Sequence, residues 1–532
     1  MAFPGGDPCA SPAPLTEDAP AADIRLLADR LHGKLSGLRA DVEATAAAML
    51  SEWSIAPERL RFSDSAANLA AWLALRQSDI GPLQGPLTAL GLSSLGRCEG
   101  HVLASMDAVL ATLAVLAGRP EHPRPSPTAF QSAARTLASR RDALFGAARP
   151  CSPTTRVMVT LPSAAADDAT FAAAVLDAGA DCLRINTAHD EPEAWARMAA
   201  HVRAAAAAAG RRAPLMVDLA GPKLRIAGVS GREKTRLHPG DRFALVPEIA
   251  PNGRERPALF SASLSHPEVL DALAVGDAVW IDDGVLRARV RARRDRTVEL
   301  EVTHARPKGG RIKRDKGVNL PGRALDLPAL TSADLARLGG VLSVADSVGF
   351  SMVQTVADVR DLIAALEAEA GGGPLPAVVL KIETPTAVAN LPWLIVEAGA
   401  RAPVAVMIAR GDLAVEIGLD RLSEIQEEIL WLCEAAHVPV IWATQVLEGL
   451  VKDGLASRAE ATDAAMAQRA DCVMLNKGPH VVEGVGFLRD VLRRMDRHQH
   501  KKTALMGRLN AWARAPASSS AGATPDIAAR ER

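Results

Sequence analysis

Residues 377–412 read AVVLKIETPTAVANLPWLIVEAGARAPVAVMIARGD, two short apolar runs joined by a helical stretch. The first run ends in Lys381 and Glu383, and the second leads into Asp412. Short, continuously apolar, β-branched runs are typical of strands buried in a parallel sheet. The stretch therefore predicts a strand–helix–strand unit with charged side chains at its strand ends.

The same alternation extends to both sides of this unit. Eight short apolar runs alternate with helical stretches, at residues 157–161, 182–186, 215–218, 348–352, 377–383, 403–409, 438–444 and 471–475. Eight is the number of parallel strands that closes a barrel. The predicted fold class is therefore α/β, with a (β/α)8 TIM barrel that we place at residues 151–225 and 317–512.

Two further regions differ from the barrel pattern. Between residues 226 and 316 strand alternation replaces the helical period, which predicts an inserted small β-barrel lid domain after the third strand. Residues 21–150 carry apolar side chains at spacings of three and four, which predicts an all-α N-terminal domain. Residues 1–20 and 513–532 are rich in Ala, Pro and Ser, and we expect disordered tails there.

Composition excludes several functional classes. The chain has 532 residues, is 48% hydrophobic and has a formal net charge of −1, so nothing favours binding to nucleic acid or to a membrane surface. No uninterrupted apolar run reaches the roughly 18 residues that a spanning helix needs. Six scattered cysteines without a C-x-x-C pair argue against a disulfide framework and a zinc site. The start lacks the features of a secretory signal, and we expect a cytoplasmic enzyme.

Polar side chains follow five of the predicted strands. Catalytic groups of such barrels lie at the C-terminal ends of the strands, so we expect these side chains to converge on one rim. The strand ends are Arg184-Ile-Asn186, Asp218, Lys381-Ile-Glu383, Ala409-Arg-Gly-Asp412 and Ala443-Thr444.

A carboxylate pair lies at the centre of this predicted site. Glu383 and Asp412 offer the hard oxygen ligands that suit Mg²⁺ or Mn²⁺. Lys381 shares a strand face with Glu383, and beside a metal we expect Lys381 to face a phosphoryl group rather than pair with Glu383. Gly411 and Asp412 open a short helix whose free N–H groups can hold an anion.

Several motifs resemble those of the pyruvate kinase family, in the family's order and over about residues 154 to 500. The late motifs are Lys316-Gly-Val-Asn-Leu-Pro-Gly322, Lys381-Ile-Glu383, Ala409-Arg-Gly-Asp-Leu413, Ala443-Thr-Gln-Val-Leu-Glu448 and Arg458-Ala-Glu460. The early ones are Arg184-Ile-Asn186 with His189, and Asp218 with Gly221-Pro-Lys-Leu-Arg225.

The resemblance implies the glycolytic transfer of a phosphoryl group from phosphoenolpyruvate to ADP, which yields pyruvate and ATP. It implies that Lys381 and Arg184 stabilise the phosphoryl group in flight, that Glu383 and Asp412 ligate the metal, and that Thr444 assists protonation of the enolate. The substrate-binding set it implies is Arg184, Lys381, Gly411, Asp412 and Thr444. The nucleotide-facing set is Thr160, Pro162, Asn186, His189, Arg225 and Lys316. A homo-oligomer is also expected.

The chain departs from the family pattern at the monovalent-cation site. Ala188 stands where the family has Ser, and Leu219 stands where it has Thr. Lys223 stands where potassium-dependent members carry glutamate, as in potassium-independent members. The resemblance implies that the Lys223 ammonium, with Asp218 nearby, substitutes for K⁺, so that K⁺ is not required.

Other departures concern the rim and the regulation. Asn476-Lys-Gly478 replaces the family's Ser-Gly-Glu, which is linked to proton delivery, and Gln354 replaces an arginine. The family's C-terminal regulatory domain is not found, so we expect no fructose-bisphosphate regulation through the usual site.

Two alternative functions stay open on the residues. One is a metal-dependent enolate lyase, an aldolase-like barrel that also uses a carboxylate pair but needs no nucleotide. The other is a catalytically weak, metabolite-binding homologue that signals through the helical N-terminal region; Asn476–Gly478 favour it, and the intact Lys381, Glu383, Asp412 and Thr444 oppose it.

Overall fold

The computed structural model describes residues 21–53, 62–230, 235–249, 260–282, 284–323 and 327–505. Both predicted tails lie outside these residues. The N-terminal region is helical, as predicted. Its helices are α1 (Ala21–Trp53), α2 (Ser63–Arg76), α3 (Gly81–Ala89), α4 (Val102–Ala117) and α5 (Pro127–Phe145).

One helical stretch in the described residues, Glu99–Ala117, is long and apolar enough by length and composition to cross a membrane. About half of this stretch is buried inside the protein. Its apolar side chains, such as Met106 and Leu110, belong to the same core as Leu35 of α1 and Leu69 of α2. The composition of this helix is therefore explained by its packing in the helical region.

The first part of the barrel follows the helical region and alternates strictly between strand and helix. Its elements are β1 (Arg156–Thr160), α6 (Ala169–Ala178), β2 (Cys182–Asn186), α7 (Pro192–Ala208) and β3 (Leu215–Asp218).

A β-rich insertion follows β3. Its strands are β4 (Ile226–Val229), β5 (Arg242–Val246), β6 (Phe260–Leu264), β7 (Ala278–Ile281), β8 (Leu286–Arg294), β9 (Thr297–His304) and β10 (Val318–Asn319). They form a seven-stranded sheet in the order β10-β7-β8-β9-β5-β6-β4, around a separate apolar core that includes Phe243 and Leu300. An antiparallel bridge between Arg225 and Gly317 joins the two chain segments that connect this sheet to the barrel. We call this unit the lid sheet.

The chain then completes the barrel. Its elements are α8 (Ser332–Leu342), β11 (Ser347–Phe350), α9 (Val356–Ala370), β12 (Ala377–Ile382), α10 (Pro385–Arg401), β13 (Val404–Ala409), α11 (Arg410–Ile417), α12 (Leu419–Ala435), β14 (Val440–Ala443), α13 (Glu448–Asp453), α14 (Arg458–Met466), β15 (Cys472–Leu475) and α15 (Val481–Met495).

These strands close a parallel barrel in the order β1-β15-β14-β13-β12-β11-β3-β2. All eight predicted strands are present, so the predicted α/β barrel with a β-rich insertion and a helical N-terminal region is confirmed. After α15 the structure adds a short antiparallel hairpin that was not predicted, β16 (Gln499–His500) with β17 (Thr503–Ala504). Residues 506–512 of the predicted barrel segment lie outside the described residues.

The helical region packs against barrel helices α10 and α12. A Cβ atom on Gly399 of α10 would lie 2.7 Å from the ring of Phe62, so glycine allows this close approach. Asn68 donates to the carbonyl of Ala435 at 2.8 Å, and Ser65 lies 3.1 Å from His437 Nδ1. Phe145, at the end of α5, is 1% exposed and joins the apolar cluster of the barrel interior. The helical region thus shares its core with the barrel.

Candidate active site

A layer of polar side chains at the C-terminal ends of the strands continues the apolar interior of the barrel. Along β12, Ala377 and Val379 belong to the interior cluster, whereas Val378 and Leu380 pack against the outer helices. Side chains two residues apart share a strand face, so Lys381 continues the inward row at the C-terminal end. On β1, β2 and β3 as well, an apolar side chain that faces the barrel interior is followed two residues later by a polar side chain at the strand end. Their pairs are Met158 with Thr160, Cys182 with Arg184, and Met216 with Asp218.

Asp218 is the shared partner of the two cations in this layer. Arg184 donates to Asp218 Oδ2 from Nη2 at 2.5 Å and from Nε at 3.1 Å, and its Nη1 lies 3.2 Å from Thr160 Oγ1. Lys381 Nζ lies 3.0 Å from the same carboxylate oxygen and donates to Ser351 Oγ at 2.6 Å. The structure therefore brings the two predicted phosphoryl-stabilising cations together at one buried carboxylate.

Lys381 pairs with Glu383 in this structure, and its orientation towards a phosphoryl group beside a bound metal stays a prediction. Lys381 Nζ lies 3.3 Å from Glu383 Oε1. Both side chains are almost completely buried, and a buried charge needs a partner of opposite sign. Lys381 thus lies between Asp218 and Glu383, with Ser351 as its hydroxyl acceptor.

The buried charges shift the pKa values of Asp218, Lys381 and Glu383 in different directions. Burial alone would raise the pKa of Asp218, but Arg184 and Lys381 outweigh it and lower that pKa. Burial would lower the pKa of Lys381, yet Asp218 and Glu383 raise it above its ordinary value. Burial raises the pKa of Glu383 despite Lys381, and the charge of Asp412 adds to the rise. The layer therefore favours a charged Lys381 and a charged Asp218, while Glu383 takes up a proton more readily than an ordinary glutamate.

Gly349 makes room for the Asp218 carboxylate. A Cβ atom at Gly349 would lie 1.8 Å from Asp218 Oδ1 and 3.3 Å from Asp218 Cα. The two residues are register partners on β11 and β3. Among the described residues Oδ1 has no hydrogen-bond partner, so it is held by packing against the Gly349 backbone. A glycine in a strand commonly marks such a close approach.

The carboxylate pair comes from neighbouring strands, since Ile382 of β12 is the register partner of Ile408 of β13. Glu383 Oε2 accepts from the Met352 backbone N–H at 2.6 Å, and Asp412 Oδ1 accepts from Lys223 Nζ at 2.6 Å. No group of three or more His, Cys, Asp or Glu that could hold a metal occurs in the described part of the chain. Two adjacent carboxylates whose charges disfavour each other nevertheless fit a hard divalent cation that completes its shell with water and substrate oxygens.

Thr444 lies beside the first turn of α11. A Cβ atom on Gly411 would be 2.6 Å from Thr444 Cγ2, so glycine allows this contact. Thr444 has a φ of 72°, unusual for a β-branched residue, and Arg410 fixes this turn. Arg410 donates to the carbonyls of Ala443 and Thr444 at 3.1 and 2.7 Å and pairs with Asp463. The predicted short helix is confirmed as Arg410–Ile417.

The residues predicted to face the nucleotide lie on or just after β1 and β2 of the barrel, and at the base of the lid sheet. Thr160 is buried beside Arg184, and Asn186 accepts from the Ala188 N–H at 3.0 Å. His189 is exposed, Pro162 is half-buried, and Arg225 donates to the Asp315 carbonyl at 3.0 Å. Lys316 lies next to Arg225, since its carbonyl accepts from the Ile226 N–H at 2.9 Å, while its Nζ pairs with Asp282 of the lid sheet at 2.8 Å.

A cavity of about 440 Å³ lies between the root of the lid sheet and the barrel. Asp412 and Lys223 border it, as does Gln354, the residue that replaces the family's arginine. On one side Asn319 of β10 donates to Glu416 of α11 at 3.1 Å, which connects the lid sheet to the helix that carries Asp412. The lid sheet and helix α11 thus share a direct polar contact.

Three residues were not among the predicted site residues. Ser351 binds the Lys381 ammonium, Gly349 accommodates Asp218, and Arg410 holds the Thr444 turn. Two signals were available: Ser351 is retained where the family carries serine, and a glycine in a strand is otherwise unfavourable. The pairing of Arg410 depends on contacts between separate strands, which a single sequence does not display.

Comparisons with known proteins agree with this geometry. Residues 152–480 match the family model described as pyruvate kinase, barrel domain. The pyruvate kinase of Methylorubrum extorquens is 34% identical over 355 residues, which cover 64% of this chain and 69% of that protein. A pyruvate kinase of Agrobacterium vitis is 32% identical over 358 residues, covering 66% and 71%. One from Thermococcus litoralis is 29% identical over 366 residues, covering 67% and 72%. This chain belongs to the pyruvate kinase family.

Proposed function

We propose that the protein is an active pyruvate kinase that transfers the phosphoryl group of phosphoenolpyruvate to ADP. The observation that carries the proposal is the buried layer in which Lys381 and Arg184 share Asp218, next to the Glu383–Asp412 carboxylate pair. Phosphoryl transfer needs little covalent chemistry from a protein and depends on positioning and charge neutralisation. Two cations fixed by one buried carboxylate supply both.

Each group of site residues has its own role in the proposed reaction. Lys381 and Arg184 neutralise the phosphoryl oxygens while the bond to the enol oxygen breaks and the bond to the terminal ADP oxygen forms. The first turn of α11, at Gly411 and Asp412, offers backbone N–H groups to the substrate carboxylate. The enolate that remains would take a proton from solvent at its methylene carbon to give pyruvate, a step that Thr444 would assist. Closure of the lid sheet would exclude water from the donor phosphate.

Glu383 and Asp412 would hold the divalent cation, Mg²⁺ or Mn²⁺. When bound, the ion would supply charge stabilisation to the substrate oxygens. Lys381 contacts one oxygen of Glu383, and Lys223 contacts one oxygen of Asp412. A cation held by the two carboxylates would therefore lie near both ammonium groups.

The function is tested by a lactate-dehydrogenase-coupled assay with phosphoenolpyruvate, ADP and Mg²⁺. We expect pyruvate formation that requires both ADP and the divalent ion. Pyruvate formed without ADP would mean that the phosphoryl group passes to water and not to a nucleotide, which would contradict the proposal. An enolate lyase cleaves a carbon–carbon bond and would form no pyruvate from phosphoenolpyruvate, with or without ADP. Binding of phosphoenolpyruvate without any turnover would support the metabolite-binding homologue.

We also expect activity without potassium. Leu219, where the family has an oxygen ligand, is 2% exposed and apolar, and Ala188 has no side-chain oxygen. Lys223 supplies a fixed positive charge, although it pairs with Asp412 rather than with Asp218. At equal ionic strength, rates in KCl and in choline chloride should therefore agree within about twofold. Strong stimulation by KCl alone would contradict this prediction.

A further inference from the structure

The hairpin of β16 and β17 contacts both the barrel and the helical region. Its two short strands pair in antiparallel fashion and are joined by a turn at Lys501 and Lys502. Gln468, which lies shortly before β15, donates to the Gln499 carbonyl at 3.1 Å and so attaches the first strand of the hairpin to the barrel. The two lysines therefore lie in the turn of an element that is already fixed to the barrel.

Each lysine of this turn pairs with a buried carboxylate. Lys501 Nζ lies 2.6 Å from Oδ2 of Asp471, the residue directly before β15. Lys502 pairs with Glu99, which lies shortly before α4 in the helical region. Both carboxylates are almost completely buried, and in the part of the chain that the structure describes no second cation pairs with Glu99. Two consecutive residues thus neutralise one buried charge in the barrel and one in the helical region.

Helix α12 encloses the turn on the barrel side. Lys502 Nζ lies 4.8 Å from the centroid of the Trp431 ring, within the range of a cation–π contact. The space that remains between the two lysines and α12 is about 10 Å³, roughly the least that one water molecule needs. Water therefore cannot readily replace either ammonium group.

A third carboxylate faces the same two lysines. Glu434 of α12 borders this space, and burial raises its pKa to about 7 against the opposing effect of Lys501. Glu434 is therefore largely protonated in mildly acidic solution. The two lysines then neutralise the two carboxylates that they contact, and the charges of the cluster balance.

We propose that the hairpin of β16 and β17 is a clamp that locks the helical region onto the barrel, with Lys501 and Lys502 as its two contacts. A buried carboxylate that loses its ammonium partner is costly, because its charge stays in a site that water does not reach. Departure of the hairpin would leave Glu99 and Asp471 in this state together. The hairpin and the segment around Glu99 should therefore open together. The inference does not depend on the proposed catalytic activity.

The test is hydrogen exchange of the full chain, followed by mass spectrometry at mildly acidic pH. Exchange of protected amides reports how often a segment opens. Lys502→Met should speed exchange in the hairpin and around Glu99 by about tenfold to a hundredfold, less than for a fully buried pair because the Lys502 side chain is 21% exposed. Lys34→Met, at an exposed lysine of α1, is the matched control and should exchange like the wild type.

A second variant separates the charge of Lys502 from its packing. Glu99→Gln combined with Lys502→Met removes both charges, so most of the protection lost in Lys502→Met should return. The same comparison applies if Lys502→Met does not fold, since the double variant should then fold. Equal exchange in the wild type and Lys502→Met would overturn the clamp. A double variant that is no better protected or folded than Lys502→Met would overturn it as well, because Lys502 would then act only by filling space.

Discussion

Lys381→Met should lower kcat by about a thousandfold, the upper end of what one preorganised donor contributes in a buried site. Methionine is similar in length to the lysine stem but has no charge to oppose the phosphoryl oxygens. Lys381 lies within 3.3 Å of both Asp218 and Glu383 and is 8% exposed, so water cannot readily take its place. The coupled assay, run at saturating concentrations of both substrates, measures the loss.

The fold should survive this substitution better than the activity. Asp218 keeps its bonds to Arg184, and burial already raises the pKa of Glu383, so that Glu383 can take up a proton when Lys381 is lost. Circular dichroism and a thermal melt should show a folded protein. Lys452→Met, which removes an exposed lysine paired with Glu448, is the control and should retain wild-type kcat. A Lys381→Met enzyme with more than a tenth of the wild-type kcat would contradict the role assigned to Lys381.

Gly349→Ala should damage the site without removing any charged group. The new methyl carbon would lie 1.8 Å from Asp218 Oδ1, so either the carboxylate rotates away or strand β11 shifts. Rotation would break the contacts of Asp218 with Arg184 and Lys381. Because misplaced catalytic groups are costly, we expect kcat to fall by about a hundredfold. Overpacking should also lower the free energy of unfolding by about 2 kcal/mol.

A second glycine provides the matched control. Gly37 is exposed in α1, and a Cβ atom there would have no other atom within 4 Å. Gly37→Ala should leave kcat unchanged and raise the free energy of unfolding by about 0.5 to 1 kcal/mol, because alanine favours the helix. Denaturant titrations and the coupled assay on both variants check the contrast. A Gly349→Ala enzyme with wild-type kcat and stability would show that Asp218 does not depend on that space.

The barrel was predictable because its strands leave a local signal. Strands buried on both faces are continuously apolar, and their polar ends are visible in sequence at Lys381, Glu383 and Asp412. The partners of those charges were less predictable. Asp218 meets Lys381 only because β3, β11 and β12 are consecutive strands of one barrel with a fixed register. The contact of Lys381 with Asp218 was therefore not predicted from the sequence.

The position of the helical region on the barrel could not be predicted from the sequence either. Apolar spacing along α1 and α4 predicts helices but not which barrel helices they cover. That choice depends on single contacts between distant segments, such as Phe62 with Gly399 and Asn68 with Ala435. Polar residues such as Asn68 and Ser65 become informative only when their partners are known.

The most direct test of the central claim is ³¹P NMR of phosphoenolpyruvate and ADP with Mg²⁺ and the full-length protein. We predict that the phosphoenolpyruvate signal declines while the γ-phosphate signal of ATP grows in equal amount, and that Lys381→Met prevents both changes. Growth of inorganic phosphate instead of ATP, or equal transfer by Lys381→Met, would contradict the assignment of this barrel as a pyruvate kinase that acts through Lys381.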